Sequence, residues 1–212
     1  MLTARGITAG YHPRRPVITD VDLTIEPGAT IGLAGPSGSG KSTLARVLSL
    51  LHKPFSGTVS IDGAVVTGFR HGAPRQHRIR IGVLFQQPRL SVDPRLTLRQ
   101  VIAEPSRANS HPTRVDELAG LVALTEDLLG RRAHEVSDGQ LQRACLARAL
   151  ALRPAYLVCD EMTTMLDAST TAALVAVIRD YQSETGAGVL AISHDLPLLE
   201  RWTDTVKTLV SV

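Results

Sequence analysis

One segment of the chain has residue types and spacing that suit the binding of phosphate groups. Residues 35–43 read GPSGSGKST, in which a glycine is followed, after four residues, by glycine, lysine and serine. Glycines let the backbone point successive N–H groups inward, and the start of the following helix adds the positive end of its dipole. Lys41 would neutralise β- and γ-phosphate charge, and the Ser42 hydroxyl would bind Mg²⁺. The predicted phosphate-binding residues are Gly35, Pro36, Ser37, Gly38, Ser39, Gly40, Lys41, Ser42 and Thr43.

Two consecutive carboxylates, Asp160 and Glu161, follow an apolar run that reads YLVC at 156–159. Beside a phosphate-binding loop, such a pair places one carboxylate near the metal ion and the next near the attacking water. We therefore predict Asp160 as a partner of Mg²⁺ and Glu161 as the general base for hydrolysis of ATP. The alternatives are a chance glycine-rich turn and a plain turn at the strand end. The strand-like TIGLA before the loop and the helical TLARVLSLL after it favour the phosphate-binding interpretation.

The surrounding pattern indicates which elements position these residues. Short apolar runs beside Gly, Pro or Asp turn residues predict strands, and helical spacing dominates from about residue 88 to 152. This alternation predicts an α/β fold with parallel strands flanked by helices. We expect one domain over 1–212, with a catalytic core at about 1–87 and 153–212 and an inserted helical subdomain at about 88–152. The predicted strands are 21–25, 30–34, 57–61, 79–85, 156–159 and 189–193.

Composition restricts the functional classes. Of 212 residues, 43% are hydrophobic, which is ample for a core, and the formal net charge is only +3. The one basic cluster, at 70–80, is interpreted as surface, and three Phe, three Tyr and one Trp offer little for stacking bases, so no nucleic-acid partner is expected.

Cys145 and Cys159 lie in apolar stretches and are expected to be buried free thiols. The N-terminus lacks a secretion signal, and no apolar run approaches the roughly 18 residues that span a bilayer.

A series of separated motifs resembles the nucleotide-binding subunits of ABC transporters, over nearly the whole chain. After the phosphate-binding loop comes Gln86 in LFQQP, and then VSDGQLQRACLARAL at 136–150, which is similar to the ABC signature. The Asp160–Glu161 pair follows, with Met-Leu-Asp at 165–167 in the position of the D-loop and His194 in AISHDL as the switch histidine. The signature stretch distinguishes this family from other P-loop proteins.

The resemblance implies ATP bound in a head-to-tail dimer, with each site completed by the opposing subunit, and it adds an antiparallel N-terminal β portion to the P-loop core. Tyr11 lies where the family has an aromatic residue that stacks on adenine. Besides the loop, one subunit would contribute Tyr11, Gln86, Asp160, Glu161 and His194. The other would contribute Ser137, Gly139 and Gln140. The catalytic group would be Lys41, Gln86, Glu161 and His194. The group near Mg²⁺ would be Ser42, Gln86 and Asp160.

The chain departs from the family pattern at two places. Asp138 replaces the first of two glycines after the signature serine, and a carboxylate there would repel a partner's triphosphate unless it points away or is neutralised. We interpret Asp138 as stabilising the N-terminus of the signature helix. After Glu161 the chain reads Met-Thr-Thr-Met at 162–165, where the family has proline and a Thr-Ser-Ala run. The dimer-facing loop is therefore expected to pack differently.

Residues 84–105 and the GQLQR at 139–143 resemble the oligopeptide, dipeptide and nickel importer branch of the family. That branch implies a peripheral subunit at the cytoplasmic face of the membrane, in a homo- or heterodimer of ATPase subunits. Its partners would be two transmembrane permease subunits and, indirectly, an extracellular substrate-binding protein. The groove near residues 88–98 would receive the permease's coupling helix. Peptide and nickel or other metal complexes stay open as substrates.

Three other interpretations stay open at this point. A soluble ABC-type ATPase acting on DNA or ribosomes usually carries long coiled-coil insertions or two cassettes, and 212 residues contain neither. A P-loop kinase for a small molecule leaves the SDGQ and SHD motifs unexplained. A subunit that binds ATP with weak turnover is compatible with Asp138 and the altered D-loop, whereas Glu161 and His194 argue against it.

Overall fold

A computed structural model describes residues 1–164 and 166–209. Its strands are β1 (Leu2–Ala9), β2 (Ile18–Ile25), β3 (Thr30–Ala34), β4 (Ser56–Ile61), β5 (Ala64–Val65), β6 (Ile81–Leu84), β7 (Tyr156–Asp160), β8 (Gly188–Ile192) and β9 (Thr205–Thr208). Its helices are α1 (Lys41–Leu48), α2 (Arg75–Arg78), α3 (Leu98–Ala108), α4 (Val115–Leu121), α5 (Glu126–Leu129), α6 (Asp138–Leu150), α7 (Ala168–Thr185) and α8 (Leu196–Trp202).

A parallel sheet in the order β6-β7-β8-β3-β9 separates two hydrophobic cores. In β7, Tyr156 and Val158 face the core that contains α1 and the N-terminal strands, whereas Leu157 and Cys159 face the core built with α3, α4, α6 and α7. Because both faces of the sheet are covered, all five residues of β7 are buried. This double burial explains the continuous apolar run that marks the strand in the sequence.

The carboxyl ends of four parallel strands meet at one edge of this sheet. There β3 leads into the phosphate-binding loop, β6 into Gln86, β7 into Glu161 and β8 into His194. Ligands of open α/β sheets bind at this edge, because the loops that leave neighbouring strands converge there. The topology therefore brings together residues that are far apart in the sequence.

A second, antiparallel sheet has the order β2-β1-β4-β5. The register between β1 and β4 is interrupted between Arg5 and Thr8. Gly57 of β4 lies near this interruption with a φ of 90°, and a Cβ on it would lie 2.4 Å from the carbonyl oxygen of Gly6. Only glycine fits the backbone conformation and the close approach of the two strands.

The segment between residues 88 and 152 is dominated by α3, α4, α5 and α6, in agreement with its helical spacing. A capping box starts α3: Thr97 Oγ1 accepts from the Gln100 backbone N–H, and Gln100 Oε1 accepts from the Thr97 N–H. Buried residues of these helices share one hydrophobic core with β7 and α7. The division into a catalytic core and a helical subdomain therefore stays a prediction.

The predicted fold class is confirmed, since an antiparallel N-terminal sheet accompanies a parallel sheet flanked by helices. The strand predicted at 21–25 begins earlier, at Ile18, and the one predicted at 79–85 is shorter because its first residues follow directly on α2. The strands β1, β5 and β9 were not predicted. Cys145 and Cys159 are free and buried. Every helix in the described part of the chain is too short or too polar to cross a membrane.

We expect Gly57→Ala to lower the free energy of unfolding by about 2–4 kcal/mol, because the methyl group would strain a left-handed backbone and press against β1. Gly63→Ala is the matched control, since Gly63 has a φ of 83° but nothing within 4 Å of a Cβ built on it. There we expect only the conformational cost of about 1 kcal/mol. Urea unfolding measures the free energy of unfolding of the two variants. An equal loss in Gly57→Ala and Gly63→Ala would contradict the steric explanation.

Candidate functional site

The loop between β3 and α1 wraps the amino end of that helix. Gly40 precedes the helix with a φ of 97°, and a Cβ on it would lie 2.2 Å from Cγ2 of Ile18. Glycine is therefore required at this position by both conformation and space. The Ser39 hydroxyl is buried and has no hydrogen-bond partner among the residues that the structure describes. A buried polar group of this kind is one that a bound phosphate could satisfy.

The Lys41 ammonium group lies across the same loop. Its Nζ donates to the carbonyl oxygens of Gly35 at 2.8 Å and Pro36 at 2.9 Å. The lysine is 5% exposed, and Nζ lies 3.9 Å from Glu161 Oε1. A buried positive charge is thus held between loop carbonyls and a carboxylate, where phosphate oxygens could replace the carbonyls as acceptors.

Ser42 and Asp160 form the next contact at the strand ends. Ser42 Oγ donates to Asp160 Oδ1 at 3.0 Å. Asp160 is the last residue of β7 and only 6% exposed. Burial raises the pKa of the Asp160 carboxyl, the Ser42 hydrogen bond opposes that shift, and the nearby charge of Glu161 adds to it. A hydroxyl and a carboxylate are hard oxygen donors of the kind that Mg²⁺ binds.

Glu161 is the point at which the predicted catalytic residues meet. Its Oε2 accepts a hydrogen bond from Gln86 Nε2 at 2.9 Å and lies 3.9 Å from His194 Nδ1. Its Oε1 faces Lys41. The Glu161 backbone is left-handed, with a φ of 47°, and its N–H donates to the Ile192 carbonyl oxygen at 3.0 Å. A left-handed glutamate is uncommon, and this conformation marks the turn at which the chain leaves β7.

The signature residues predicted to serve a partner lie at the start of α6. Ser137 Oγ accepts from the backbone N–H of Gln140 at 3.2 Å, and Gln140 Oε1 accepts from that of Ser137 at 3.0 Å. A Cβ on Gly139 would lie 3.4 Å from Thr170 Cγ2, so this glycine packs near α7. Within residues 1–164 and 166–209 these three residues make no hydrogen bond to the phosphate-binding loop. They line a separate cleft together with Asp167.

Asp138, the departure from the signature pattern, is paired with an arginine. Arg89 Nε donates to Asp138 Oδ1 at 2.7 Å, and the terminal nitrogens of Arg89 donate to the carbonyl oxygens of Ala133 at 2.7 Å and Val136 at 3.0 Å. The Asp138 carboxylate also lies in the first turn of α6, where the helix dipole favours a negative charge. The sequence indicated this dipole interaction, but it did not indicate Arg89, which is 49 positions away.

Tyr11 lies beside α1. It is 70% exposed, its hydroxyl accepts from Arg46 Nη1 at 2.7 Å, and its ring meets that of His52 edge-on with centroids 5.9 Å apart. Arg46 also lines the cleft that contains Ser42 and Asp160. An exposed ring near this cleft is compatible with stacking on adenine, and that role stays a prediction.

The loop after Glu161 carries the second departure. Met162 is 3% exposed and packs in the core built with α3, α4, α6 and α7. Met165, the second methionine of the D-loop segment, lies outside the described residues. Asp167 caps α7: it accepts from the Ser169 hydroxyl and from the Thr170 backbone N–H and hydroxyl. These hydrogen bonds hold the pKa of Asp167 well below its usual range.

Known proteins are similar to this chain in sequence and in fold. The ABC transporter family model matches residues 18–164. The nickel import ATP-binding protein NikE of Escherichia coli (strain K12) is 36% identical over 209 residues, covering 96% of this chain and 78% of that protein. The probable peptide ABC transporter ATP-binding protein y4tS of Sinorhizobium fredii (strain NBRC 101917 / NGR234) is 40% identical over 190 residues, covering 86% of this chain and 54% of that protein.

A solved structure, the dimeric post-hydrolysis state of the ATP-binding cassette MJ0796 bound to ADP and Pi, has a TM-score of 0.88 to this chain. Its sequence is 26% identical, and the alignment covers 100% of this chain and 96% of that one. These matches agree with the motif series and leave no role for the small-molecule kinase interpretation. The chain belongs to the ABC transporter family, as an ATP-binding and ATP-hydrolysing subunit.

Proposed function

We propose that this chain supplies ATP hydrolysis to an importer of nickel or peptides, as a peripheral subunit at the cytoplasmic face of the membrane. The observation that carries the proposed chemistry is the meeting of Lys41, Gln86 and His194 around Glu161. The cargo is inferred from the relatives NikE and y4tS, which are named for nickel import and peptide transport. An extracellular substrate-binding protein would deliver the cargo to the permease subunits.

The phosphate-binding loop would hold the triphosphate of ATP. Inward-pointing N–H groups and the amino end of α1 suit a polyanion. Lys41 would exchange the carbonyl oxygens of Gly35 and Pro36 for β- and γ-phosphate oxygens, which carry more negative charge. The buried Ser39 hydroxyl would gain a partner in the same step.

Ser42 and Asp160 are the residues that would hold Mg²⁺, with the amide oxygen of Gln86 beside them. No cluster of three or more His, Cys, Asp or Glu suited to a metal occurs in the described part of the chain. That fits Mg²⁺, which commonly binds one or two protein oxygens together with substrate phosphates. When bound, the ion supplies positive charge that neutralises phosphate oxygens. The burial of Asp160 supports this assignment, because a buried carboxylate is stabilised by a nearby cation.

Glu161 would act as the general base that accepts a proton from the attacking water. Gln86 holds its Oε2 through a 2.9 Å hydrogen bond, so the carboxylate has a defined direction. His194 lies 3.9 Å from the same oxygen and has a side chain that is 61% exposed. It could therefore contact the γ-phosphate from the solvent side and position the water.

A second copy, or a related subunit, would complete the site with Ser137, Gly139 and Gln140. These residues lie at the amino end of α6, where N–H groups and a hydroxyl suit a γ-phosphate. Their separation from the phosphate-binding loop of the same chain supports a composite site. The solved structure of MJ0796 is dimeric, which supports a dimer for this fold.

The permease would contact the surface at the start of the segment 88–98. Leu90 is 83% exposed, and together with Phe85 and Gln86 it lines a cleft that reaches Ser42 and Asp160. An exposed leucine beside a site residue is suited to bind an apolar face of a coupling helix. A movement of that helix would then displace Gln86.

We expect Glu161→Gln to reduce ATP turnover by about 10³-fold, because glutamine has a similar shape but cannot accept the proton. ATP should still bind, and the variant should accumulate as an ATP-bound dimer in size-exclusion chromatography. Glu184→Gln, on the exposed side of α7, is the matched control and should keep normal turnover. The measurements use the chain alone and with its permeases. Equal turnover in the Glu161→Gln and unmodified proteins would remove Glu161 from this role.

We expect Asp160→Asn to stabilise the nucleotide-free protein against urea at neutral pH. The folded-state pKa of Asp160 is raised, so the folded form binds more protons, and its stability falls as the pH rises through that pKa. The advantage of asparagine should vanish as the pH falls below the ordinary value of 3.8. In contrast, MgATP should stabilise the variant less than the unmodified protein. The control is Asp116→Asn, because Asp116 is exposed. A difference in stability between Asp160→Asn and the unmodified protein that did not depend on pH would contradict the charge explanation.

We expect Leu90→Asp to weaken assembly with the permease subunits by about tenfold, a loss of about 1.4 kcal/mol. A charged carboxylate would replace an apolar contact at the centre of the proposed interface. The comparison is Leu121→Asp, because Leu121 is 50% exposed on α4, away from this cleft. Co-purification and transport-coupled ATPase activity measure the effect. Intact assembly and coupling in Leu90→Asp would show that the permease binds elsewhere.

A further inference from the structure

The amino end of α6 combines groups that attract and repel an anion. The backbone N–H groups of Asp138 and Gly139 have no protein acceptor among the described residues, as is usual for the first turn of a helix. The carboxylate of Asp138 stands in the same turn. It adds one negative charge to the surface that, under the proposed function, meets the triphosphate held by a second subunit.

That charge matters because a triphosphate is highly anionic. Opposite-subunit contacts exclude water as the dimer closes, and Coulomb repulsion between like charges grows as the dielectric constant falls. Like charges placed opposite each other across an interface weaken the association of the two subunits. An uncompensated Asp138 would therefore oppose closure more strongly than it would affect the separated subunit.

Arg89 is positioned to cancel this charge. Its Nε lies 2.7 Å from Asp138 Oδ1. The two other hydrogen bonds of its guanidinium, to the carbonyl oxygens of Ala133 and Val136, fix the orientation of the planar group. The positive charge is therefore held beside the signature residues instead of moving freely in solvent.

The turn that carries Arg89 is itself attached to α6. Arg148 Nη1 donates to the Ser91 carbonyl oxygen at 2.6 Å, and Arg148 Nη2 donates to Ser91 Oγ at 3.2 Å. The buried Gln142 donates to the Phe85 carbonyl oxygen at 3.4 Å. These bonds hold the segment around Arg89 along the helix and so keep Arg89 beside Asp138.

We propose that Arg89 is a positioning residue for ATP-driven dimerisation. Arg89 neutralises Asp138, so that Ser137 and Gly139 can bind the triphosphate held by a second subunit. This inference rests on the composite site of the proposed function. The pair contributes little to stability, because both side chains are partly exposed, at 46% and 41%. Its effect is on the approach of an anion.

A double-mutant cycle of Arg89→Gln and Asp138→Asn tests this role. The association constant of the ATP-bound dimer is measured by analytical ultracentrifugation in the Glu161→Gln background, and kcat/KM for ATP is measured with Glu161 intact. We expect Arg89→Gln alone to weaken the dimer by about tenfold, and by less than about twofold when Asp138 is already asparagine. The defect of the single variant should shrink between low and high salt, since screening removes the repulsion.

Two controls separate charge from structure. Arg95→Gln removes an arginine of the same segment whose described partner is Asp93, and it should leave the dimer unchanged. ATP affinity of the separated subunit should be the same for all variants. An equal, salt-independent loss from Arg89→Gln in both Asp138 backgrounds would assign Arg89 to holding the backbone at Ala133 and Val136, and would overturn the proposal.

The cycle also separates this inference from the proposed function. If the Glu161→Gln protein forms no ATP-dependent dimer, with itself or with a related ATPase subunit and with any residue at 89 or 138, the composite site is wrong and the role of Arg89 is wrong with it. If that dimer forms and Arg89→Gln has no effect on it, only the role of Arg89 is refuted.

Discussion

Two adjacent carboxylates at the end of a buried strand are the constraint on which the rest of the site depends. Asp160 is buried as the last residue of β7, and Glu161 follows it in a left-handed turn. Burial penalises their charges, so the neighbouring groups are donors: Ser42 to the first, and Gln86 with the nearby Lys41 to the second. The positive charges of Lys41 and Arg46 also act on Asp160 and oppose the rise of its pKa that burial causes.

Part of this arrangement could be predicted because it depends on neighbouring residues. The turn before α1 needs glycine at position 40, and the lysine and serine that follow it belong to the same helix start, so their spacing is visible in the sequence. The strand β7 could be recognised because both of its faces are buried, which makes it apolar throughout. Ser137 and Gln140 form a capping box, whose spacing is likewise local.

Other parts depend on contacts between distant segments or lack a hydrophobic pattern. The pairing of Arg89 with Asp138 spans 49 positions, and neither residue belongs to a periodic run. All four residues of β9 are exposed, so no apolar run identifies this edge strand. The left-handed backbone of Glu161 has no signal in the residue type, because glutamate is rarely found there. It follows from the path that the chain takes between β7 and α7.

The short connection between Gln86 and the turn at Pro88–Ser91 has a mechanical consequence. Gln86 is tied to Glu161 at the end of the sheet, whereas the turn is tied to α6 through Arg89 and Ser91. Only Gln87 separates them, in an extended conformation with φ of −111° and ψ of 96°. One extended residue spans at most about 3.6 Å, so this connection has almost no slack. It acts as a short tether, so a displacement of the Glu161 carboxylate would be transmitted through Gln86 to the turn that lies beside α6.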